Sequence, residues 1–146
     1  QLAEGRKLIL GGIEIPHQKG SVAHSAGDVL IHSICDALLG AAGLRDIGVH
    51  FPDNSEDFKD ISSLILLTRT MALLKEHGYH VGNIDTTLCL QRPKIKDVIP
   101  KMIICLSKAM ETEVTNVSIK ATTTEKLGFE GRKEGIAVQA VVLIEK

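Results

Sequence analysis

The stretch IAVQAVVLI, residues 136–144, is apolar at every position but one and runs close to the end of the chain. A β-branched run of this length, bounded by a Gly-rich segment, reads as a strand. Its lack of polar alternation predicts a strand buried on both faces. Working backwards, VTNVSIKA (114–121) alternates and reads as a half-buried strand. NIDTTLCLQ (83–91) reads as a strand that Pro93 ends. Helical periodicity lies between and before these strands. Residues 28–42 place Leu30, Ile34, Leu38 and Ala41 on one stripe, with Gly40 and Gly43 flanking the end. Residues 61–77 turn Leu64, Leu67, Met71 and Leu74 inward and stop at Gly78. Residues 97–111 form a third helix, in which Pro100 is compatible only with the first turn. KLILGGIEI (7–15) reads as two short strands broken by Gly11-Gly12, and 16–27 and 44–60 read as loops. Helices alternating with strands, closing on two strands, predict an α+β chain: an α/β sandwich with helices layered on a β-sheet. No internal repeat or linker divides it, so residues 1–146 form a single domain.

Composition narrows the function. The chain is 44% hydrophobic and 24% charged with a formal net charge of −1, which is ordinary globular sequence and provides no basic field for nucleic acid or a membrane surface. Aromatic residues are 3% of the chain (Phe51, Phe58, Phe129 and Tyr79), too few for a base-stacking platform. The core must therefore be Ile, Leu, Val and Ala. A domain of this size buries about two-thirds of its unfolded surface, so an oligomer is expected to bury more. Cys35, Cys89 and Cys105 have no metal-ligand spacing and read as buried free thiols in a reducing compartment. No apolar run reaches spanning length, and no signal peptide opens the chain.

Several segments carry side chains suited to chemistry. Asp28, His32 and Asp36 are four residues apart and share a helix face, so a carboxylate could hold one imidazole N–H while the other nitrogen meets a metal. A solvated polar face explains the same spacing. Asp28 also suits an N-cap, and His24-Ser25 lies in the loop before it. KATTTEKLGFEGR (120–132) offers consecutive hydroxyls and backbone N–H groups, then Glu125, Lys126 and Arg132. Phosphate oxygens are bound by such donors, and a bridging divalent ion by the carboxylate. A strand end rich in Thr is the plainer reading. QRPKIKD (91–97) is a basic turn, and DIGVHFPDNSED (46–57) is an acidic one.

Taken together and in order, GGIEIPHQKG (11–20), AHSAGDVLIHSICDALLGAAGLRDIGVHFPD (23–53), GYHVGNIDTTLCLQRPK (78–94) and KATTTEKLGFEGRKEGIA (120–137) resemble the 2-C-methyl-D-erythritol 2,4-cyclodiphosphate synthases of non-mevalonate isoprenoid biosynthesis. The resemblance implies a ferredoxin-like subunit in a homotrimer, with sheets around a central axis and active sites at subunit interfaces. It implies conversion of 4-diphosphocytidyl-2-C-methyl-D-erythritol 2-phosphate to the 2,4-cyclodiphosphate with release of CMP, by a metal-dependent phosphorus-oxygen lyase. By position, His24 and Thr123 match transition-state stabilisers. Ser25 matches a phosphate contact, and Asp46, Ile47 and Gly48 match the ribose turn. Phe51, Pro52, Asp53, Asn54 and Ser55 match the loop over the methylerythritol group. Leu90, Gln91, Arg92, Pro93, Lys94, Ile95 and Lys96 match the cytosine pocket. Thr122, Thr123 and Thr124 match the phosphate cradle, and Phe129 and Arg132 match further substrate-side positions. The resemblance places Zn2+, or another divalent transition metal, at His32 and Mg2+ or Mn2+ near Glu125. Arg132 and Glu134 match the trimer axis, where phosphate or an isoprenoid diphosphate would bind. The expected compartment is the bacterial cytoplasm or a plastid or apicoplast stroma.

Two departures stand out. The family's Asp-x-His, which supplies two further zinc ligands, does not occur in residues 1–146 and is expected just before Gln1. Ala26 stands where the family reads Asp in His-Ser-Asp-Gly-Asp. These departures motivate the alternative of a metal-deficient relative that binds CDP-type nucleotides or isoprenoid diphosphates without turnover.

Overall fold

A computed structural model describes residues 1–22, 27–59 and 61–146. The chain opens with short strands β1 (Leu2–Glu4), β2 (Leu8–Leu10), β3 (Ile13–Ile15) and β4 (Lys19–Ser21). β2 and β3 form an antiparallel hairpin through Gly11-Gly12, as the sequence predicts. Both glycines have positive φ, 60° and 80°, which only Gly adopts without strain. A Cβ on Gly12 would also lie 2.7 Å from Cys105 Sγ, so the turn packs too closely for a side chain. The segment predicted as loop over 16–27 instead contains β4, paired antiparallel with β1. Neither three-residue strand has the periodicity that would mark it in sequence.

α1 (Val29–Ala41) follows, buried along Leu30, Ile34 and Leu38, while Ala41 is exposed rather than inward. A one-turn helix α2 (Ile47–His50) and a 3-10 turn (Glu56–Phe58) interrupt the region predicted as loop. α3 (Ser63–Glu76) buries Leu66, Leu67, Thr70 and Leu74, whereas Leu64 and Met71 are only half-buried. β5 (His80–Cys89) leads through a 3-10 turn into α4 (Ile99–Ala109), with Pro100 in its first turn. β6 (Val117–Thr122), one-turn α5 (Gly128–Gly131) and β7 (Ala137–Glu145) complete the chain.

β5, β6 and β7 make a mixed sheet of order β6-β5-β7, with β6 parallel and β7 antiparallel to the central strand. Ile84, Thr86 and Leu88 of β5 face the helices and are buried. α1 lies along β7 and against α3, and α4 lies against β6. The other sheet face carries Asp85, Thr87 and Cys89 of β5, registered with Val141, Gln139 and Ala137 of β7. This overturns the prediction that the 136–144 strand is buried on both faces. Its odd-numbered side chains are open, with Val141 71% and Leu143 54% exposed. Apolar side chains on an open sheet face are the pattern of an interface. The cysteines are free; Cys35 is buried, which pushes its thiol up to about 12, while Cys89 and Cys105 are half-buried. Among the described residues, no helix is long and apolar enough to cross a membrane.

Candidate functional site

The site is organised from the N-terminus of α1. Asp28 is fully buried and caps the helix, accepting from Ile31 N at 3.1 Å. Its carboxylate also accepts from Gly11 N at 3.0 Å and Gly12 N at 2.7 Å, so it binds the β2–β3 turn to the helix start. Burial pushes Asp28 up to about 6, against the backbone donors of Gly12, Ile31, Gly11 and Leu30 that favour its charge. The predicted N-cap is therefore present, and Asp28 O also accepts the backbone N–H of His32 at 3.0 Å. Asp36 is also engaged elsewhere, accepting from Ile47 N at 2.8 Å and so holding the first residue of α2. Asp28 and Asp36 thus each hold backbone beside this stripe, while the Asp36 charge also acts on His32.

His32 reaches the other way. Its Nε2 lies 3.2 Å from the Oγ of Ser63, at the start of α3. Burial lowers its pKa from the ordinary value, with Asp36 partly opposing, so the ring is neutral at pH 7. It lines a cavity of about 170 Å³ with Gln1, Leu2, Val22, Gly27, Val29 and Ile136. A neutral imidazole on a cavity wall fits one ligand position of a divalent transition ion. Among the described residues, no group of three or more His, Cys, Asp or Glu could complete such a centre. His24, Ser25 and Ala26 lie outside the described residues.

A second constellation forms beyond the C-terminal ends of β5 and β6. Leu90, Gln91, Pro93, Lys94, Ile95 and Lys96 share a cavity of about 460 Å³ with Thr122 and Thr123. Parallel pairing places Cys89 beside Thr122, and Leu90 N donates to Thr122 O at 3.0 Å, so the two predicted segments are joined by backbone. Arg92-Pro93 is a cis peptide, and Arg92 lies between the lining residues. Beyond them, Glu125 and Lys126 adopt left-handed backbone, φ 53° and 66°. Glu125 N donates to Thr123 Oγ1 at 3.3 Å, and Lys126 N donates to Gln91 Oε1 at 3.3 Å. Thr124 Oγ1 donates to Leu127 O. The cavity wall therefore carries Thr122 and Thr123, and the turn that follows carries a carboxylate and an ammonium, residue types suited to phosphate and a counter-ion.

The third predicted segment stands on α2. Asp46 caps this helix by accepting from Val49 N at 3.0 Å, and Ile47 and Gly48 form its first turn. Phe51 packs edge-on against Phe58 with ring centroids 5.5 Å apart, and the Arg69 guanidinium lies 5.6 Å from the Phe58 centroid. Pro52, Asp53 and Asn54 lie between, and Ser55 caps the following 3-10 turn through Asp57 N. Among the described residues, no hydrogen bond or ion pair joins segment 46–58 to the cavity of 90–96 and 122–123. Phe129 is 46% exposed and lines a separate cavity of about 440 Å³ with Gln1, Leu2, Lys19, Glu134 and Gly135. Arg132 is paired with Glu134 at 2.9 Å.

Sequence reading missed Ser63 and the role of Asp36. A Ser at a helix start reads as local capping, and its contact with His32 joins two helices with no periodic signal between them.

The YgbB family model matches residues 1–145. A 2-C-methyl-D-erythritol 2,4-cyclodiphosphate synthase from Phocaeicola vulgatus is 58% identical over 146 residues, covering 100% of this chain and 91% of the relative. The bifunctional IspDF from Campylobacter jejuni superposes with a TM-score of 0.92 at 44% identity, covering 98% of this chain and 39% of that longer one. A CDP-bound 2C-methyl-D-erythritol-2,4-cyclodiphosphate synthase superposes with a TM-score of 0.90 at 34% identity, covering 99% of this chain and 93% of that one.

Proposed function

The chain belongs to the YgbB family, and from that premise we propose that it converts 4-diphosphocytidyl-2-C-methyl-D-erythritol 2-phosphate to 2-C-methyl-D-erythritol 2,4-cyclodiphosphate and CMP, in isoprenoid biosynthesis. The observation that carries this reading is the cavity joining Leu90–Lys96 to Thr122 and Thr123, in a chain similar throughout to a CDP-bound synthase. An oxygen of the 2-phosphate attacks the β-phosphorus, the bond from that phosphorus to the CMP oxygen breaks, and CMP departs with the electron pair. Such a transfer is accelerated by alignment and charge neutralisation rather than by a protein nucleophile. Pro93, Lys94 and their neighbours hold the cytosine, and Asp46 to Gly48 hold the ribose. Phe51 to Ser55 cover the methylerythritol group. Thr122 to Thr124 cradle phosphate, with Phe129 and Arg132 further out. Thr123 and His24 stabilise the transition state; the Thr123 hydroxyl is already oriented by Glu125.

His32 would hold a zinc-like ion, with ligands beyond the described residues, and Glu125 would hold Mg2+ or Mn2+. Bound there, the ions would neutralise and polarise the phosphates. The assembly in this reading is a ferredoxin-like homotrimer with its sheets around an axis and each active site shared between subunits. Its support is the open face of Val141 and Leu143, and the buried Asp85 Oδ1, which has no hydrogen-bond partner among the described residues. Arg132 and Glu134 would face the axis, where a phosphate or isoprenoid diphosphate would sit. Bacterial relatives support a bacterial cytoplasmic setting.

The full-length protein, given the cytidine substrate and a divalent ion, is expected to release CMP and the cyclic diphosphate, read by phosphorus NMR. A folded trimer that binds CDP without releasing CMP would establish the metal-deficient binding alternative instead. Asp36→Ala should weaken CDP binding about tenfold, because it releases the backbone of the Asp46–Gly48 turn from a charge-assisted bond worth about 1.5–3 kcal/mol. Calorimetric titration with CDP checks this, and unchanged affinity would separate Asp36 from the ribose turn.

A further inference from the structure

We infer that Gln91 is a positioning residue for the turn at 123–126: its side chain fastens that turn to the end of β5, and it acts on turnover rather than on the hold of the base. The inference rests on the proposed reaction and specifies what sets the turn for it. The last rung of the β5–β6 ladder pairs Cys89 with Thr122, and Leu90 N donates to Thr122 O at 3.0 Å just past it. Leu90 is buried, so the chain is held in place up to the residue before Gln91. Beyond this point the two segments share no ladder. Gln91 bridges them instead, its Oε1 accepting from Lys126 N at 3.3 Å. Lys126 donates from left-handed backbone, φ 66°, directly after Glu125 at φ 53°. Two consecutive non-glycine residues in that region are disfavoured and persist only where their surroundings hold them. The other hydrogen bonds of the turn are local. Thr122 Oγ1 donates to Thr123 O, Thr123 Oγ1 pairs with Glu125, and Thr124 pairs with Leu127. Among the described residues, Gln91 is therefore the only hydrogen-bond partner of 123–126 from outside 122–127. The local bonds give the turn its shape, and the Gln91 bond registers it against the cavity that Gln91 lines with Thr122 and Thr123. A phosphoryl transfer that depends on alignment responds directly to that register.

The test uses full-length protein with the cytidine substrate and a divalent ion. Gln91→Met keeps the length of the side chain and removes the acceptor. It should lower kcat for CMP release about tenfold while KM and the affinity for CMP stay within about twofold, a smaller effect than the roughly 10²-fold of a 1 Å displacement. Amide exchange followed by NMR reads the bond itself, without substrate. The Lys126 amide of the wild type should exchange about tenfold more slowly than that of Gln91→Met. A wild-type kcat in folded Gln91→Met, or a loss confined to CMP affinity and KM, overturns the inference while leaving the reaction intact. A Lys126 amide that exchanges at the unprotected rate in the wild type overturns it without any variant. Absence of CMP release from the wild type overturns the proposed reaction, and this inference with it.

Discussion

Asp28→Ala is expected to destabilise the protein by about 3–5 kcal/mol, enough to unfold a marginal domain at 37 °C. The carboxylate is fully buried and accepts from Gly11, Gly12 and Ile31 at 2.7–3.1 Å. Alanine would leave those amides without their acceptor beside a buried position, and would remove the α1 cap as well. Asp28→Asn keeps the shape but turns one acceptor into a donor facing an amide, so a smaller loss of about 1–3 kcal/mol is expected. The pH dependence distinguishes the charge from the shape. Asp28 is pushed up from 3.8 to about 6 in the fold. A carboxyl raised in the native state stabilises it most below the unfolded value, and that contribution disappears as pH rises through the folded value. Between about pH 3 and pH 7 the wild type should therefore lose roughly 3 kcal/mol relative to Asp28→Asn, in which this group does not titrate. Urea unfolding of both proteins across that range checks the sign. A wild-type advantage that grows with pH would show that the amide donors, not burial, govern this carboxyl.

Gly131→Ala should reduce turnover about 100-fold while the protein remains folded. A Cβ on Gly131 would lie 2.2 Å from Lys126 C and 2.6 Å from Lys126 Cα, contacts that backbone cannot relieve without moving. The displaced turn is the one that carries Glu125 and Lys126 in left-handed conformation and is tied to Gln91 through Lys126 N. A shift of about 1 Å at reacting groups costs on the order of 10²-fold in rate. Overpacking at an exposed turn adds about 1–3 kcal/mol of destabilisation. Steady-state CMP release alongside thermal melting separates the two effects. A Gly131→Ala protein with the wild-type rate would show that the turn's placement is irrelevant to the reaction.

Much of the architecture could be read directly from the sequence. Apolar stripes marked α1, α3 and α4 because each is buried on one side over several turns. The Gly11-Gly12 break marked the β2–β3 hairpin because the turn demands positive φ. The β1–β4 pairing left no trace, since a three-residue strand has too few positions to show a period. The closing strand misled because an unbroken apolar run hides the alternation of its faces, and only its even-numbered side chains turn toward the helices. Among site residues, the 90–96 and 122–125 segments were legible as motifs and the fold brings them together. The Asp28–His32–Asp36 spacing was legible only in part. Helical spacing shows which side chains share a face, but not that backbone amides of Gly11, Gly12 and Ile47 already occupy two of them. Ser63 was invisible for the complementary reason, since its significance depends on a helix-helix contact.

The strand order β6-β5-β7 also sets a schedule for folding. β5 is the central strand, and both of its partners lie later in the chain. A ribosome releasing this protein therefore exposes β5, with its buried Ile84, Thr86 and Leu88, before either neighbour exists. α1 and α3 are already available by then and can cover its helix-facing side. Its two hydrogen-bonding edges stay open until β6 and finally β7 emerge. Non-local pairing of this kind makes folding slow and the nascent chain prone to aggregation. The interval between synthesis of Cys89 and of Glu145 is thus the period in which this polypeptide most needs chaperone protection.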